Sequence, residues 1–486
     1  MRSSIRFLLG REMRELANFP PTTTVLDYLR GTERRCGTKE GCAEGDCGAC
    51  TVVVGELQDG TMRYRAVNSC IQFLGTLDGK QLITVEDLAG NGELHPVQEA
   101  IATSNGSQCG FCTPGFVMSL FSAWATGQQL TRVALDDTLS GNLCRCTGYG
   151  TIVDAAASLA GRDRNDRFAQ DSAATVERLA GLADAQDVAI EHGGMRFFAP
   201  ATTERLADLL LDHPDATILA GGTDVGLWVT KQHRNLPVVI SVLGIEALRA
   251  SVLADGVLAF GAGVSLNAAA LALSRYVPEL GLLMRRFASA QIRNIGTLCG
   301  NIANGSPIGD LPPALIALGA EIVLRKGDRQ RVLALQDYFL AYQKQDREPG
   351  EFVEAVRVPL PPAGALFRVH KVSKRRDEDI SAVCAAHYVE IEDGRVAAVR
   401  LAYGGMAATP KRATAAEQSL LGQLWAEQAI RRAQEAMTED FAPISDMRAS
   451  AAYRMTVATN LLWRSFLEMD GADDTQIPDE WCLAHA

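Results

Sequence analysis

The spacing of apolar residues divides the chain into segments of different periodicity. Ile5, Phe7 and Leu9 alternate as in a strand with one buried face. Residues 24–29 read as a helix start with Leu26 and Leu29 inward, 51–54 as a β-branched strand, 55–60 as a turn, 66–70 as its return and 83–86 as a last strand. From Pro114 the period changes. Phe116, Val117, Leu120, Phe121 and Trp124 recur at helical spacing until Gly127, and Thr131 caps a second helix with Leu135 and Leu139 inward and Gly141 as its stop. Residues 161–187 are polar, charged and Ala-rich with few large apolar anchors, which predicts an exposed connector. A helix over 203–211 leads to a strand over 217–220. Further on, 381–391 and 396–401 read as strands joined at Gly394, while 413–436 and 450–467 read as helices beneath a three-stranded sheet. The run 371–379 is of mixed charge and reads as a solvated face. These changes divide the chain at 1–85, 86–165, a linker at 166–190, 191–370 and 371–486.

Cysteine spacing turns two of these segments into candidate metal sites. Cys42, Cys47 and Cys50 form C-x4-C-x2-C, with Cys70 following on the returning strand. This is the spacing of a plant-type ferredoxin loop around a 2Fe–2S cluster. Gly41, Gly45 and Gly48 suit a backbone that must turn sharply around an inorganic core. A small mixed sheet, one helix and a metal loop make a β-grasp pattern. Zinc or buried free thiols are the alternatives, and zinc more often takes paired C-x2-C knuckles. Cys36 lies outside the pattern. The second group pairs Cys109 and Cys112 with Cys144 and Cys146 across a helical hairpin that brings its two ends together. Zinc stays open there when the group is taken alone. Helix N-termini would favour thiolate charge, and Arg145 stands ready to offset a net negative cluster.

The middle segment carries two small-residue stretches. The strand over 217–220 runs into Gly221-Gly222-Thr223-Asp224 and then a helix, an arrangement that can cradle a pyrophosphate on backbone N–H groups. It is not GxGxxG, so a Rossmann reading has no support. A tight structural turn is an equal alternative. Residues 289–310 are dense in Ser, Asn, Gln and Gly and end at Asp310, before a helix beginning near Leu311. Such groups are costly to bury without a polar ligand.

Bulk properties narrow the classes. The 486 residues suggest roughly three domains. Lys and Arg total 47 against 58 Asp and Glu, a net charge of −11, which argues against nucleic acid or an anionic membrane as partner. No apolar run reaches the ~18–20 residues of a membrane span, and the N-terminus is too weakly apolar for a secretory signal, so a cytoplasmic location is expected. Of the twelve cysteines, nine precede residue 147 and only Cys299, Cys384 and Cys482 follow. Such clustering suits metal ligation better than disulfides.

GCAEGDCGAC, QCGFCTPGF and GNLCRCTGY strongly resemble the iron–sulfur part of the molybdenum hydroxylases, above all the xanthine dehydrogenases, over residues 1–160. LAGGTDVG and the 289–310 stretch resemble the FAD-binding domain of the same family. The resemblance implies an α+β multidomain chain. It would comprise a β-grasp 2Fe–2S ferredoxin-like domain, a four-helix 2Fe–2S domain, an α+β FAD-binding domain of the molybdenum hydroxylase flavoprotein type and a C-terminal sheet-and-helix domain. Both cysteine groups would bind 2Fe–2S clusters. FAD would be held by Thr217, Ile218, Leu219, Ala220, Gly221, Gly222, Thr223 and Asp224 in a first loop and by Thr297, Leu298, Cys299, Gly300 and Asn301 in a second. Phe287 would pack on the flavin ring, and Asp310, Val353 and Lys371 would add contacts, although a solvated Lys371 is the competing reading. Asp224 stands where the family often has Glu, and Cys299 where it often has Gly; the Cys299 thiol reads as inert packing.

No molybdopterin module is visible in these residues, so the resemblance implies a separate molybdopterin-binding large subunit, an α2β2 heterotetramer and no purine-oxidising residue on this chain. Electrons would run from the molybdenum cofactor through both clusters and FAD to NAD+, with hypoxanthine oxidised to xanthine and then urate. The fusion of iron–sulfur and FAD modules favours xanthine dehydrogenase over a molybdenum hydroxylase for another heterocycle or an aldehyde.

Overall fold

A computed structural model describes residues 1–90 and 92–471. Cys482 and the end of the last segment lie outside the described residues. The chain forms two compact units, one of residues 1–246 with 288–296, the other of 247–287 with residues from 297 onward.

The first unit begins with a five-stranded sheet in the order Glu12–Leu16, Ile5–Leu9, Gln81–Ile83, Thr51–Gln58, Thr61–Asn68. Ile5–Leu9 pairs antiparallel with Glu12–Leu16 and parallel with Gln81–Ile83. Ile5, Phe7 and Leu9 face inward onto Val25, Leu29, Val52, Val67 and Phe73. Full burial of each such side chain contributes roughly 1.5–3 kcal/mol. The expected helix at 24–29 is only Val25–Asp27, capped by Thr24 Oγ1 on the Asp27 N–H at 3.0 Å, before the chain widens into a turn over Tyr28–Thr32. Gly31 there is a poor helix residue. The expected last strand stops at Ile83, because Thr84 and Asp87 form a reciprocal cap on a 3₁₀ turn over Val85–Asp87.

Four helices follow, Pro96–Thr103, Thr113–Ala125, Arg132–Leu139 and Gly150–Ala157. Phe116, Val117, Leu120, Phe121 and Trp124 share one core with Val53 and Ile83, so the helical segment packs directly on the first sheet.

The stretch read as an exposed connector is docked. It forms helices Arg167–Gln170 and Ser172–Ala180. Leu179 and Leu182 pack with Leu8, and Asp184 pairs with Arg2 at 2.8 Å and Arg6 at 2.5 Å. Asp166 is the anchor, accepting from Trp124 Nε1 at 2.7 Å and lying 2.8 Å from His95 Nε2 while capping the first helix. Composition misleads here because the polar residues have fixed partners rather than solvent.

A four-stranded sheet, Val188–His192, Met195–Ala199, Val238–Ser241, Thr217–Leu219 in that order, completes the unit with helix Thr203–Asp212. It shares a core with the first sheet. Gly75 lies against the Phe197 ring, where a Cβ would come within 2.6 Å. Helix Ala290–Ile295 also belongs to this unit.

The second unit holds a five-stranded antiparallel sheet, ordered Ser251–Ala254, Val257–Gly261, Phe352–Pro359, Glu321–Lys326, Arg329–Ala334. With it pack helices that include Leu298–Asn304 and Leu311–Leu318. Beyond it lies a sheet of Leu366–Val372, Val383–Glu392, Arg395–Gly404 and Lys411–Arg412, covered by helices Thr414–Leu420, Glu427–Asp440 and Ala451–Met469. The expected three strands are four. The extra one is two residues long, too short to show a period. No described helix is long and apolar enough to cross a membrane.

Candidate cluster and flavin sites

The ferredoxin-like loop brings its four cysteines together in two pairs. Ala43, Gly45 and Gly48 adopt positive φ, which lets the backbone curl over the thiols. Its N–H groups turn inward: Glu44, Asp46 and Cys47 donate to Cys42 Sγ at 3.4, 3.4 and 3.3 Å, and Cys42 donates to Cys47 Sγ at 3.4 Å. The buried Asn68 side chain donates to Cys50 Sγ at 3.8 Å. Cys42 is lowered to about 5 by hydrogen bonding from Cys47, which is itself pushed up. Cys50 is likewise lowered by Cys70, and Cys70 raised. Cys50 and Cys70 are 2 % exposed, in an apolar floor of Leu26 and Ile71 joined by Leu227 and Ile292.

The helical segment also pairs its thiols. Cys146 lies 3.6 Å from Cys109, and Cys112 pairs with Cys144. Cys112 occupies the N-cap of Thr113–Ala125 and is raised to about 12, mainly by burial. For Cys144 burial acts upward, but the Thr147 hydroxyl at 3.1 Å and nearby N–H groups bring the thiol below its usual value. Tyr149 holds a left-handed φ of 68°, uncommon for a bulky residue, and its hydroxyl accepts from the Cys144 N–H at 3.1 Å. Among the described residues no three His, Cys, Asp or Glu side chains converge on a single metal position. Thiols paired two by two, with N–H groups aimed at sulfur, suit a 2Fe–2S cluster, which takes two thiolates on each iron. The residues present therefore fit that group.

The residues expected to hold flavin divide between the units. In the first, Thr217–Leu219 is a strand and Val225–Thr230 a helix, with Gly222 at φ +73° between them. Gly221 rests on the Ile295 carbonyl, where a Cβ would come within 1.9 Å, and Gly226 on Ile71, beside Cys70, where a Cβ would come within 2.6 Å of the Ile71 oxygen. Asp224 accepts from Trp228 Nε1 at 3.1 Å. In the second unit the expected loop at 297–301 is mostly helix. Thr297 caps Leu298–Asn304 through the Gly300 N–H at 3.0 Å. Asn301 Oδ1 is buried with no hydrogen-bond partner among the described residues, an atom that a polar ligand would satisfy. Cys299 is buried, donates to the Phe260 carbonyl at 3.4 Å and is pushed up to about 12 by burial, in keeping with inert packing.

Lys371 is not solvated. Its Nζ lies 2.5 Å from Asp310 Oδ2 and 3.0 Å from Ser381 Oγ, all buried. Phe287 is half-buried at the end of helix Pro278–Arg285, and Val353 is buried opposite Leu324 beside a β-bulge.

Sequence reasoning missed Asn68, Asn142, Ser119, Gln291 and Ser381. Asn142 sits in GNLCRC, two residues before a candidate ligand, and Gln291 lies in the small-residue stretch read as ligand-facing. Its Nε2 is instead satisfied by protein, through Ser119 and Asn142, while its Oε1 has no hydrogen-bond partner among the described residues.

Paired cysteine loops and a glycine-rich turn define an iron–sulfur flavoprotein. Family descriptions agree along the chain: 2Fe-2S iron-sulfur cluster binding domain at 11–73, [2Fe-2S] binding domain at 84–157, FAD binding domain in molybdopterin dehydrogenase at 193–361, and CO dehydrogenase flavoprotein C-terminal domain at 368–469. The chain belongs to the iron–sulfur and FAD part of the molybdenum hydroxylase family. It is 30 % identical to xanthine dehydrogenase of Emericella nidulans and 29 % to xanthine dehydrogenase/oxidase of Rattus norvegicus, each over 95 % of this chain. It spans 38 % of the length of those relatives. Among solved structures, a chain of the Cu,Mo-CO dehydrogenase matches with TM-score 0.53 and 27 % identity, covering 58 % of this chain and 98 % of that one. Quinoline 2-oxidoreductase from Pseudomonas putida 86 matches with TM-score 0.52 and 26 % identity over 56 % of this chain and 96 % of that one.

Proposed function

We propose that this chain is the electron-transfer subunit of a xanthine dehydrogenase, with purine oxidised on a molybdopterin-binding large subunit and NAD+ reduced here. The carrying observation is extent of match. The xanthine dehydrogenase relatives align with 95 % of this chain, whereas the CO dehydrogenase and quinoline oxidoreductase chains match 58 % and 56 % of it while being covered almost fully. Iron–sulfur and flavin modules on one chain favour the xanthine reading.

Cys42 and Cys47 would ligate one iron and Cys50 and Cys70 the other of the ferredoxin-like cluster; Cys109 and Cys146, and Cys112 and Cys144, would do the same in the helical segment. Residues 217–224 and 297–301, with Phe287, Asp310, Val353 and Lys371, would hold FAD, which when bound converts one-electron into two-electron transfer. Lys371, Asp310 and Ser381 keep a charged pair dry and oriented. The inward N–H groups of 42–47 stabilise thiolate charge, and the buried Cys50 and Cys70 exclude water. The assembly would be a cytoplasmic α2β2 heterotetramer with that large subunit.

The CO dehydrogenase likeness favours a second reading, the same relay serving another molybdenum hydroxylase. Co-purification from the native host decides. A molybdenum-containing large partner, with xanthine-dependent NAD+ reduction, is the expected result. A partner that oxidises a different heterocycle or an aldehyde establishes the second reading. A colourless, zinc-containing protein without two 2Fe–2S resonance signals after reduction refutes both.

A further inference from the structure

The two cysteine loops touch. The Leu143 N–H donates to the Cys47 carbonyl at 3.0 Å. Leu143 is bonded to Cys144 and Cys47 carries its own thiol, so this hydrogen bond joins the two candidate ligand sets. Around it lies a buried knot of amides and hydroxyls. Asn142 Nδ2 donates to the Gly48 carbonyl at 3.1 Å and Thr51 Oγ1 at 3.3 Å. Ser119 Oγ donates to Asn142 Oδ1 at 2.6 Å. Gln291 Nε2 donates to that same oxygen and to Ser119 Oγ, both at 3.1 Å. Three glycines bring the backbones into direct contact. A Cβ on Gly48 would come within 2.0 Å of the Gly141 carbonyl, one on Gly115 within 2.2 Å of the Gly48 carbonyl, and one on Gly141 within 2.2 Å of Gln291 Oε1.

Gln291 is a costly choice if packing were its only task. It is 0 % exposed, and its Oε1 has no hydrogen-bond partner among the described residues. An orphaned buried oxygen costs about 1–3 kcal/mol, and an apolar residue of similar shape would avoid that cost. What an apolar residue lacks is the Nε2 that ties Asn142 and Ser119 together across the junction.

We propose that Gln291 and Asn142 are positioning residues that set the spacing of the two cysteine loops where Leu143 meets Cys47, and so the ease of electron passage between them. This rests on the electron-relay function proposed above. One electron leaves the helical side, which is oxidised, and enters the ferredoxin-like side, which is reduced; no atom is transferred. Tunnelling falls steeply with each added ångström, so the knot acts by holding the gap rather than by chemistry of its own. Gln291 comes from residues 288–296, which lie in the middle of the flavin-matching stretch yet pack in the first unit.

The test uses the full holoprotein and Gln291→Met, with Ser119→Ala as a milder variant. Three readouts are taken: thermal stability, magnetic interaction between the two reduced 2Fe–2S signals, and the rate at which an electron injected by flash reduction passes between them. For Gln291→Met the expected result is both signals retained, stability nearly unchanged, an altered spin–spin splitting and transfer slower by on the order of tenfold. Ser119→Ala should move the splitting in the same direction by less. Wild-type splitting and rate in both variants, with both signals retained, overturn the proposal, as does a lowered unfolding midpoint with splitting and rate unchanged. A wild-type protein without two 2Fe–2S signals refutes the relay reading itself, so the two failures are distinct.

Discussion

The two cysteine loops solve one problem in opposite ways. The ferredoxin-like loop buries half of its thiols and lines the others with backbone N–H groups from its own tight turn. The helical loop borrows a helix N-terminus and one hydroxyl, and leaves Cys109 and Cys146 exposed beside Phe111 and Leu143, which are 47 % and 42 % exposed. Hydrogen bonds to sulfur and exclusion of solvent both tune cluster potential. The same cluster type is therefore given two environments, one closed by its own chain and one open at its rim. The position of each follows from packing: the first lies between a sheet and flavin-segment side chains, the second at one end of a helical core.

The largest break in this comparison comes where the loops meet. Gly48→Ala places a Cβ against the Gly141 carbonyl at a backbone φ of +68°. It should cost about 3 kcal/mol or more and degrade both sites together, read as a lower unfolding midpoint and loss of both resonance signals. Single changes at the candidate ligands should separate them. Cys109→Ser is expected to remove the helical-segment signal and leave the ferredoxin-like one, and Cys50→Ser the reverse. Loss of both signals from Cys109→Ser would mean that the sites are not independent. A chelator sharpens the contrast: the exposed Cys109 and Cys146 pair should lose iron first, followed as sequential decay of the two signals, and simultaneous decay would contradict the open-rim description.

The smallest effect concerns the docked connector under the helical segment. Burial pushes the Asp166 carboxyl up, but hydrogen bonds from His95, the Ala169 N–H and Trp124 outweigh this and hold it below its usual value. Stability tied to the ionised form is present above the unfolded value of ~4 and is lost as pH falls through the folded value. Asp166→Asn should lower stability by about 1–2 kcal/mol at neutral pH and flatten the acid limb of the stability profile, measured by denaturant unfolding between neutral and acid pH. An unchanged acid limb would remove Asp166 from that role.

The local sequence was enough to locate both cysteine groups, the glycine turn at 221–224 and the apolar face of Thr113–Ala125, because each depends on residues close together in the chain. Ligand spacing, β-branching and helical period are local properties. Tertiary structure alone decided what lies between them. The 166–190 segment looked solvated until Asp166, Leu179 and Asp184 found partners far away in sequence. Lys371 read either as a flavin contact or as solvated until the fold brought Asp310 and Ser381 to it. Gln291 looked ligand-facing until Ser119 and Asn142 closed on its amide. A polar side chain does not carry its partner in its own sequence. Whether it meets water, a cofactor or another amide is settled only when distant segments pack and the burial cost of each unpaired group must be offset.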